Sequence, residues 1–405
     1  MDDTVYSIRK DLEFFPIDHN GQRFILINDK LGLVQEGKAI SLPLYQIMTL
    51  LDGSNTMRDL QLELIRQRGG MLVGEDEVRS LLHELDESFL LNSERFRIAR
   101  DKLVFEFSSK KTRPCSHCGT AYPKDPTLLK SKLDEIISSQ SALPKPEGKT
   151  IALICPHIDL SVGHKVYSSA YQMLQYTRPS RVVLLGVGHQ MIDDLFSLTD
   201  KDFETPLGRV KSETTLIHVL QEAGEDIIAA DDFIHRSEHS IEFQIIFLQH
   251  LLEKDSFTII PILCGFIQSN LSDFNRDSYR EMAGPFLQEL SNILIDTDAE
   301  TLLIAGVDFS HIGPKFGHRM PAVHLEKQSE THDKSLLESL SKIDADQFWE
   351  ESIKAKDQFN VCGFAALACM LEVLPQCKGK VFDYQIWHEE ASRSAVSFSS
   401  VVFTS

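Results

Sequence analysis

Short apolar runs alternate with segments of helical spacing from about residue 148 onward, and this pattern predicts an α/β domain. The strands are expected near residues 149–155, 181–187, 257–263, 301–307, 381–387 and 394–403. The helices are expected near residues 163–176, 212–223, 239–253, 279–295, 326–340 and 362–374. Runs that are apolar at every position are typical of strands buried on both faces. We therefore expect a mainly parallel sheet with helices on both faces.

The first 112 residues follow a different pattern, which predicts a small separate domain. One strand, three helices and a closing hairpin are expected, in that order, at Phe24–Ile27, Leu42–Leu51, Thr56–Ile65, Val78–Phe89 and Arg95–Phe107. Residues 108–125 are polar and turn-rich, which is typical of a domain junction. The sequence thus predicts a winged-helix-like domain over residues 1–112 and the α/β domain over residues 113–405.

Composition narrows the class of protein. The 405 residues are 42% hydrophobic, enough for a packed core, and the formal net charge of −19 argues against an extended nucleic-acid surface. No apolar stretch approaches the roughly 18–20 residues that span a bilayer, and the N-terminus does not resemble a signal peptide. The seven cysteines are odd in number and scattered. We expect reduced thiols in a cytoplasmic protein that binds neither membrane nor nucleic acid.

Three predicted strands run into a potential metal ligand or proton carrier. The runs at 151–154, 182–185 and 302–307 lead to His157, His189 and the pair Asp308 and His311. In open α/β sheets, ligands bind beyond the carboxyl ends of the strands. Either of the first two histidines alone would be interpreted as a strand cap bonded to a loop carbonyl. Both together favour a site for iron, zinc, copper or nickel.

The pair Asp308 and His311 suits proton transfer. An imidazole is the usual general acid or base, and a carboxylate beside it fixes its tautomer. The alternative is a hydrogen-bonded loop pair without a chemical role.

Two further segments carry candidate side chains. Glu238, His239 and Glu242 fall at the predicted start of a helix, where they either point into the cavity or compensate the helix dipole. Cys362 falls where another helix begins, so it is either a thiolate ligand or a buried apolar residue. Cys115 and Cys118 have CxxC spacing without a second cysteine pair, so no structural zinc site is expected there.

Together these segments resemble the MEMO family, whose bacterial members are called AmmeMemoRadiSam system protein B. The resemblance covers roughly residues 113–405 and rests on ordered motifs at Ser116–Gly119, Pro156-His157, Gly186–His189, Thr205–Gly208, Glu238–Glu242, Asp308–His311, Cys362-Gly363 and Ser394–Ser400. The sequence departs from the family pattern at Ile158–Leu160, at Gln190 and at Phe364.

The resemblance implies a fold related to the class III extradiol dioxygenases, which are non-haem Fe(II) enzymes. Carried over by position, it implies His157, His189 and Cys362 as metal ligands. It also implies His311 in the acid–base position with Asp308 behind it, and His239 lining the pocket. Fe2+ is the expected metal, with copper and zinc as alternatives.

These observations support one leading functional hypothesis and two alternatives. The first is a MEMO-like non-haem iron oxidoreductase acting on a small-molecule or peptide-linked substrate. At the turn Leu50–Leu60 (LLDGSNTMRDL) and the helix after it, the N-terminal region resembles PqqD-like domains, which implies recruitment of a peptide and partners from a radical-SAM system. One alternative is a non-catalytic scaffold that binds a peptide or protein in the same cleft. The other is a metal-responsive DNA-binding regulator, which the 15 basic and 19 acidic residues before residue 113 (net −4) disfavour.

Overall fold

A boundary between Ser109 and Lys110 divides the chain into two units, Met1–Ser109 and Lys110–Ser405. The structure is a computed structural model, and it describes residues 5–19, 21–191, 193–271 and 273–405. The boundary predicted from the polar junction lies between residues 112 and 113. Each unit is considered by itself below.

The smaller unit begins with an antiparallel sheet and continues with helices. Its sheet has the order β1-β2-β3, with strands at Leu12–His19, Gln22–Asp29 and Ala39–Ser41. Helices α1 to α4 follow at Leu42–Met48, Met57–Gln67, Glu75–Glu87 and Glu94–Ser108. Thr56 caps α2 in a reciprocal capping box with Asp59, which satisfies two of the helix's first N–H groups.

The hairpin predicted over Arg95–Phe107 is wrong, because this segment is helix α4. The Ser93 side chain accepts a hydrogen bond from the N–H of Phe96 (3.3 Å) and so caps the helix. The hairpin of this unit is β1–β2, which precedes the helices. The wing of the expected winged-helix domain is therefore not found after the helices.

The larger unit contains one mixed sheet. Its strands β4 to β14 lie at Thr112–Arg113, Thr150–Cys155, Arg181–Val187, Phe196–Leu198, Asp202–Thr205, Gly208–Ser212, Thr258–Cys264, Thr301–Gly306, His311–Ile312, Lys378–Glu389 and Ser394–Thr404. The strand order is β12-β14-β5-β11-β6-β10-β9-β8-β4, with β13 paired to β14 and β7 paired to β10. Strands β5, β11, β6 and β10 are parallel and form the centre, and β14 joins β5 antiparallel.

Helices cover both faces of this sheet. Helices α5 to α13 lie at Pro126–Ile137, His164–Tyr171, Thr214–Gly224, Glu242–Leu251, Ile267–Asn270, Arg276–Ile295, Glu326–Lys342, Ala345–Ala355 and Phe364–Val373. Successive residues of β6 enter opposite cores: Val183 and Leu185 pack into one, Val182 and Leu184 into the other. This alternation explains why the strand is apolar at every position. The predicted mainly parallel sheet with helices on both faces is confirmed. In the part of the chain described, no helix has the length and apolar character needed to cross a bilayer.

The strand register brings three carboxyl ends together. Gly306 on β11 is the partner of Cys155 on β5 and of Gly186 on β6. A Cβ atom on Gly306 would lie 2.7 Å from the Ser240 carbonyl oxygen, so only glycine lets the segment before α8 approach the strand ends. The residues that follow β5, β6 and β11 and the residues that precede α8 therefore meet at one edge of the sheet.

Candidate metal centre

Three side chains that the sequence singled out as metal ligands lie together at this edge. The candidate ligand atoms of His157, His189 and Cys362 are all within 4.8 Å of one another. His157 Nε2 is 3.7 Å from Cys362 Sγ. His157 is buried, and the other two side chains are half-buried. Two imidazoles and a thiol in this space could hold one metal ion.

The two histidines have their Nδ1 atoms tied to acceptors. His157 Nδ1 is 2.8 Å from the Gly306 carbonyl oxygen. His189 Nδ1 is 3.0 and 3.1 Å from the two carboxylate oxygens of Glu238. Because a neutral imidazole has one N–H and one lone pair, a proton on Nδ1 leaves Nε2 as the nitrogen that can bind a metal. Metal-binding histidines show this same arrangement. His157 therefore makes the hydrogen bond to a carbonyl oxygen that is expected of a strand-capping histidine. This hydrogen bond is compatible with metal binding through Nε2.

The thiol of Cys362 lies two residues before α13. Its Sγ is 3.5 Å from the Asp308 carbonyl oxygen, to which the thiol can donate. Burial, reinforced by the nearby carboxyl group of Asp308, raises the pKa of this thiol well above its ordinary value. The start of the helix does not offset that burial, so the thiol is protonated unless a cation replaces the proton.

Asp308 does not lie behind His311, and this expectation is wrong. Its carboxylate faces His157 instead: Oδ1 accepts the His157 backbone N–H (3.1 Å), and Oδ2 is 3.6 Å from His157 Nε2. Hydrogen bonds to β14 hold the segment after β11 in place, and one of them joins the Phe309 N–H to the Ser397 carbonyl oxygen. Burial raises the pKa of Asp308 to about 7.

His311 contacts the Phe309 carbonyl and the Phe316 ring. Its Nδ1 is 3.0 Å from the Phe309 carbonyl oxygen, and its ring meets the Phe316 ring edge-on at 4.9 Å between centroids. Burial lowers the pKa of His311 to about 4, so the ring is neutral at physiological pH. Proton transfer by His311 stays a prediction.

His239 contributes a third imidazole beside the two candidate ligands. Its ring stacks on His189 with centroids 4.9 Å apart and meets His157 edge-on at 5.1 Å. Its Nδ1 is 3.1 Å from Glu238 Oε1, and its side chain is 31% exposed. The pocket-lining position expected for His239 is therefore a direct contact with both histidines, reachable from solvent.

Glu238 organises the histidines, a role that sequence reasoning did not assign to it. The Glu238 carboxylate contacts Nδ1 of both His189 and His239. It also accepts hydrogen bonds from the backbone N–H groups of His189 (3.1 Å), His239 (2.8 Å) and Ser240 (3.2 Å). Burial alone would raise the pKa of Glu238, but the imidazoles of His189 and His239 hold it well below its ordinary value. His189, Glu238 and His239 are also close enough to hold an ion. Because the carboxylate is already occupied by N–H donors, it is better suited to orient the rings than to bind metal.

Glu242, in contrast, points away from the ligands. It forms a fully buried ion pair with Arg113 and accepts the backbone N–H groups of Ser116 and His117, each at 3.0 Å. Arg113 also donates to the Glu238 carbonyl oxygen (2.7 Å). Glu242 therefore fastens the loop after β4 to the segment that carries Glu238. Neither the cavity role nor ordinary helix capping describes it.

The same loop contains a disulfide between Cys115 and Cys118, so the expectation of seven reduced thiols is wrong at these two positions. The loop brings the two Cα atoms to 5.8 Å, within the range for a disulfide. Between them, His117 meets the His239 ring edge-on at 5.6 Å and has its Nε2 3.0 Å from the Ser237 carbonyl oxygen. The loop thus forms part of the wall beside the histidines.

The chain is similar over most of its length to proteins of one family. A family model described as Memo-like protein matches residues 113–402. A MEMO1 family protein of Aquifex aeolicus is 30% identical over 403 residues, which cover 98% of this chain and all of the relative. A MEMO1 family protein of Thermus thermophilus is 25% identical over 348 residues, covering 86% of this chain and 98% of the relative. One from Archaeoglobus fulgidus is 24% identical and is matched over 97% of its length but 70% of this chain.

Proposed function

This chain belongs to the Memo-like protein family, and from that membership and the geometry of its site we propose that it binds one transition-metal ion through His157, His189 and Cys362. One observation carries the proposal. Two histidines whose Nδ1 atoms are already tied to acceptors converge with a thiol, all candidate ligand atoms lying within 4.8 Å. Histidines that only cap strands would need the bonded Nδ1 atoms but not the convergence with a thiol.

Ferrous iron is the metal we favour, with copper and zinc as alternatives. Imidazole and thiolate donors suit all three metals. Three protein ligands leave coordination positions open, which is typical of catalytic rather than structural sites. When bound, iron would supply redox chemistry at those open positions. We therefore propose an oxidoreductase whose substrate is a small molecule or a peptide-linked group.

The residues around the proposed ligands would handle protons and orientation. Glu238 holds the rings of His189 and His239 in one tautomer. His239, partly exposed and in contact with both ligand rings, is the nearest proton carrier to the substrate side. Asp308 Oδ2 is 3.6 Å from His157 Nε2, close enough to exchange a proton with a substrate group beside this proposed ligand. His311 completes the proposed catalytic set as a neutral, half-buried imidazole.

A metal titration tests the proposal, and His311→Ala provides an informative comparison. Under anaerobic conditions, the purified chain should bind about one equivalent of Fe2+, measured by competition with a chromogenic chelator. His311→Ala should bind the same amount with similar affinity, because the proposed shell does not include His311. Loss of iron from this variant would move His311 into the shell. Absence of specific binding to the unaltered chain would favour the non-catalytic scaffold.

We further propose that the N-terminal unit recruits a peptide or a protein partner from a radical-enzyme system, within the cytoplasm. Its surplus of acidic residues, 19 against 13 basic ones over residues 1–109, disfavours a phosphate-binding surface. In an electrophoretic mobility assay near physiological salt, we expect no sequence-specific DNA complex. A specific, salt-sensitive complex would support the DNA-binding regulator instead.

A further inference from the structure

The Cys115–Cys118 disulfide closes a small ring at an accessible place. The two cysteines are three positions apart in sequence, both are half-buried, and Ser116 between them is exposed. Cys118 packs partly against the core beside α5 and α8, whereas Cys115 does not take part in that core. Since Cys118 is the one of the two that packs against this core, we take Cys115 to be the cysteine that a reagent from solvent attacks.

The fold does not depend on this covalent bond to hold the loop. Glu242 accepts two of the backbone N–H groups inside the ring, those of Ser116 and His117, and Arg113 is buried against the same carboxylate. A disulfide that closes so short a loop also constrains the unfolded chain far less than one that closes a long loop. A purely structural purpose therefore explains the bond poorly.

The ring is directly connected to the histidine cluster. His117 lies inside it and contacts the His239 ring, and the His117 Nε2 is bonded to the carbonyl of Ser237, which precedes Glu238. Opening the ring would remove one restraint on the backbone torsions of Ser116 and His117, whose N–H groups would stay bonded to Glu242. We expect the position of the His117 side chain to change first, and its contact with the His239 ring to change as a result.

We propose that Cys115 and Cys118 form a redox site that exchanges with a protein dithiol, and that its state sets the position of His117 beside His239. CxxC spacing is typical of cysteine pairs that undergo thiol–disulfide exchange. The reductant is a dithiol protein of the thioredoxin type, which the accessible Cys115 side of the loop can meet.

The exchange balances without a metal or another cofactor. A thiolate of the reductant attacks Cys115 Sγ, the bond between Cys115 and Cys118 breaks, and the Cys118 thiolate takes up a proton. The second thiol of the reductant then loses its proton and attacks its own sulfur in the mixed disulfide. Cys115 leaves as a thiolate and is protonated. Two electrons and two protons have moved, and the reductant has become a disulfide.

The first experiment measures which cysteines react in the folded, metal-free chain. Reduced thioredoxin is the probe, and alkylation followed by peptide mass spectrometry is the readout. We expect two additional alkylated cysteines per chain, at Cys115 and Cys118, with the circular dichroism spectrum unchanged. Reduction that requires denaturant would overturn the proposal, as would a pair already found as thiols after aerobic purification.

The second experiment measures the effect on the histidines by NMR of the ¹⁵N-labelled imidazole rings, again without metal. Reduction should shift the signals of His117 and His239, while Cys377→Ser, a change between α13 and β13, should leave that response intact. Cys115→Ser combined with Cys118→Ser should give the reduced spectrum and no response to thioredoxin. Identical spectra of the oxidised and reduced chain would refute the link to His239. Since no metal is present, these results do not depend on the proposed iron site.

Discussion

Replacing Cys362 by serine should weaken Fe2+ binding by more than the roughly 10- to 100-fold that loss of an outer hydrogen-bond partner costs. Cys362 supplies the one anionic donor of the proposed set, and a serine hydroxyl is a far poorer ligand for a soft or borderline metal. Anaerobic competition with a chelator measures the affinity. Glu238→Gln should fall within that 10- to 100-fold range, because it removes the carboxylate that orients two rings but no proposed ligand.

The pH dependence separates thiolate binding from an indirect effect of the substitution. The raised pKa of Cys362 means that its proton must leave when a metal binds, so this site alone should add about tenfold in affinity per pH unit between pH 6 and 8. His157 adds no such term, because burial keeps its pKa well below the ordinary value and the ring is already neutral. In Cys362→Ser, the slope of the logarithm of Fe2+ affinity against pH should be smaller by one. In Cys377→Ser, this slope should be unchanged. Equal slopes for all three chains would contradict thiolate ligation.

The sheet and the meeting point of the histidines follow from local sequence. Each central strand is apolar throughout because both of its faces are covered, and such runs are visible without the fold. Parallel strands carry their carboxyl ends to one edge, so the positions of His157 and His189 just after two runs were sufficient to predict a shared site. Helix α5 was not among the predicted helices, although its apolar spacing, Leu129, Leu133 and Ile136, is a local signal.

Helix α4 shows where local pattern misleads. Its buried residues Phe96 and Phe107 do not form a clear stripe, and Ile98 and Phe105 are exposed at 64% and 74%. An apparent alternation of polar and apolar residues then suggests a hairpin. Glutamate, arginine, lysine and leucine all favour a helix, and with the Ser93 cap this propensity decides the structure.

The remaining errors depend on contacts between distant residues. Asp308 faces His157 in a segment that is held by hydrogen bonds to Ser397 on β14, and no neighbour in sequence indicates those bonds. Arg113 and Glu242 are 129 positions apart, so their pairing leaves no local signal. Glu238 was visible beside His239, but its role as a common acceptor requires the approach of His189 from another strand.

The pair Arg113 and Glu242 is the most strongly enclosed ion pair beside the site. Both side chains are 0% exposed, and the carboxylate is further bonded by Ser116, His117 and Tyr122. Burial alone would raise the pKa of Glu242, but Arg113 and these donors lower the pKa to about 2. Because the folded pKa is depressed, the stabilisation is complete above the unfolded value near 4.5 and is lost as pH falls through about 2.

Replacing Arg113 by methionine should therefore lower the free energy of unfolding at pH 7 by roughly 3–5 kcal/mol, because it leaves a carboxylate buried without its partner. Urea denaturation of the full chain measures the change. Lys334→Met is the matched control: Lys334 is 63% exposed in an ion pair with Glu330, so its loss should cost at most about 1 kcal/mol. In the Arg113 variant the pKa of Glu242 must rise, so acid should destabilise the protein less steeply between pH 4.5 and 2 than it destabilises the unaltered chain. If Arg113→Met is as stable as Lys334→Met, the buried pair does not anchor the loop.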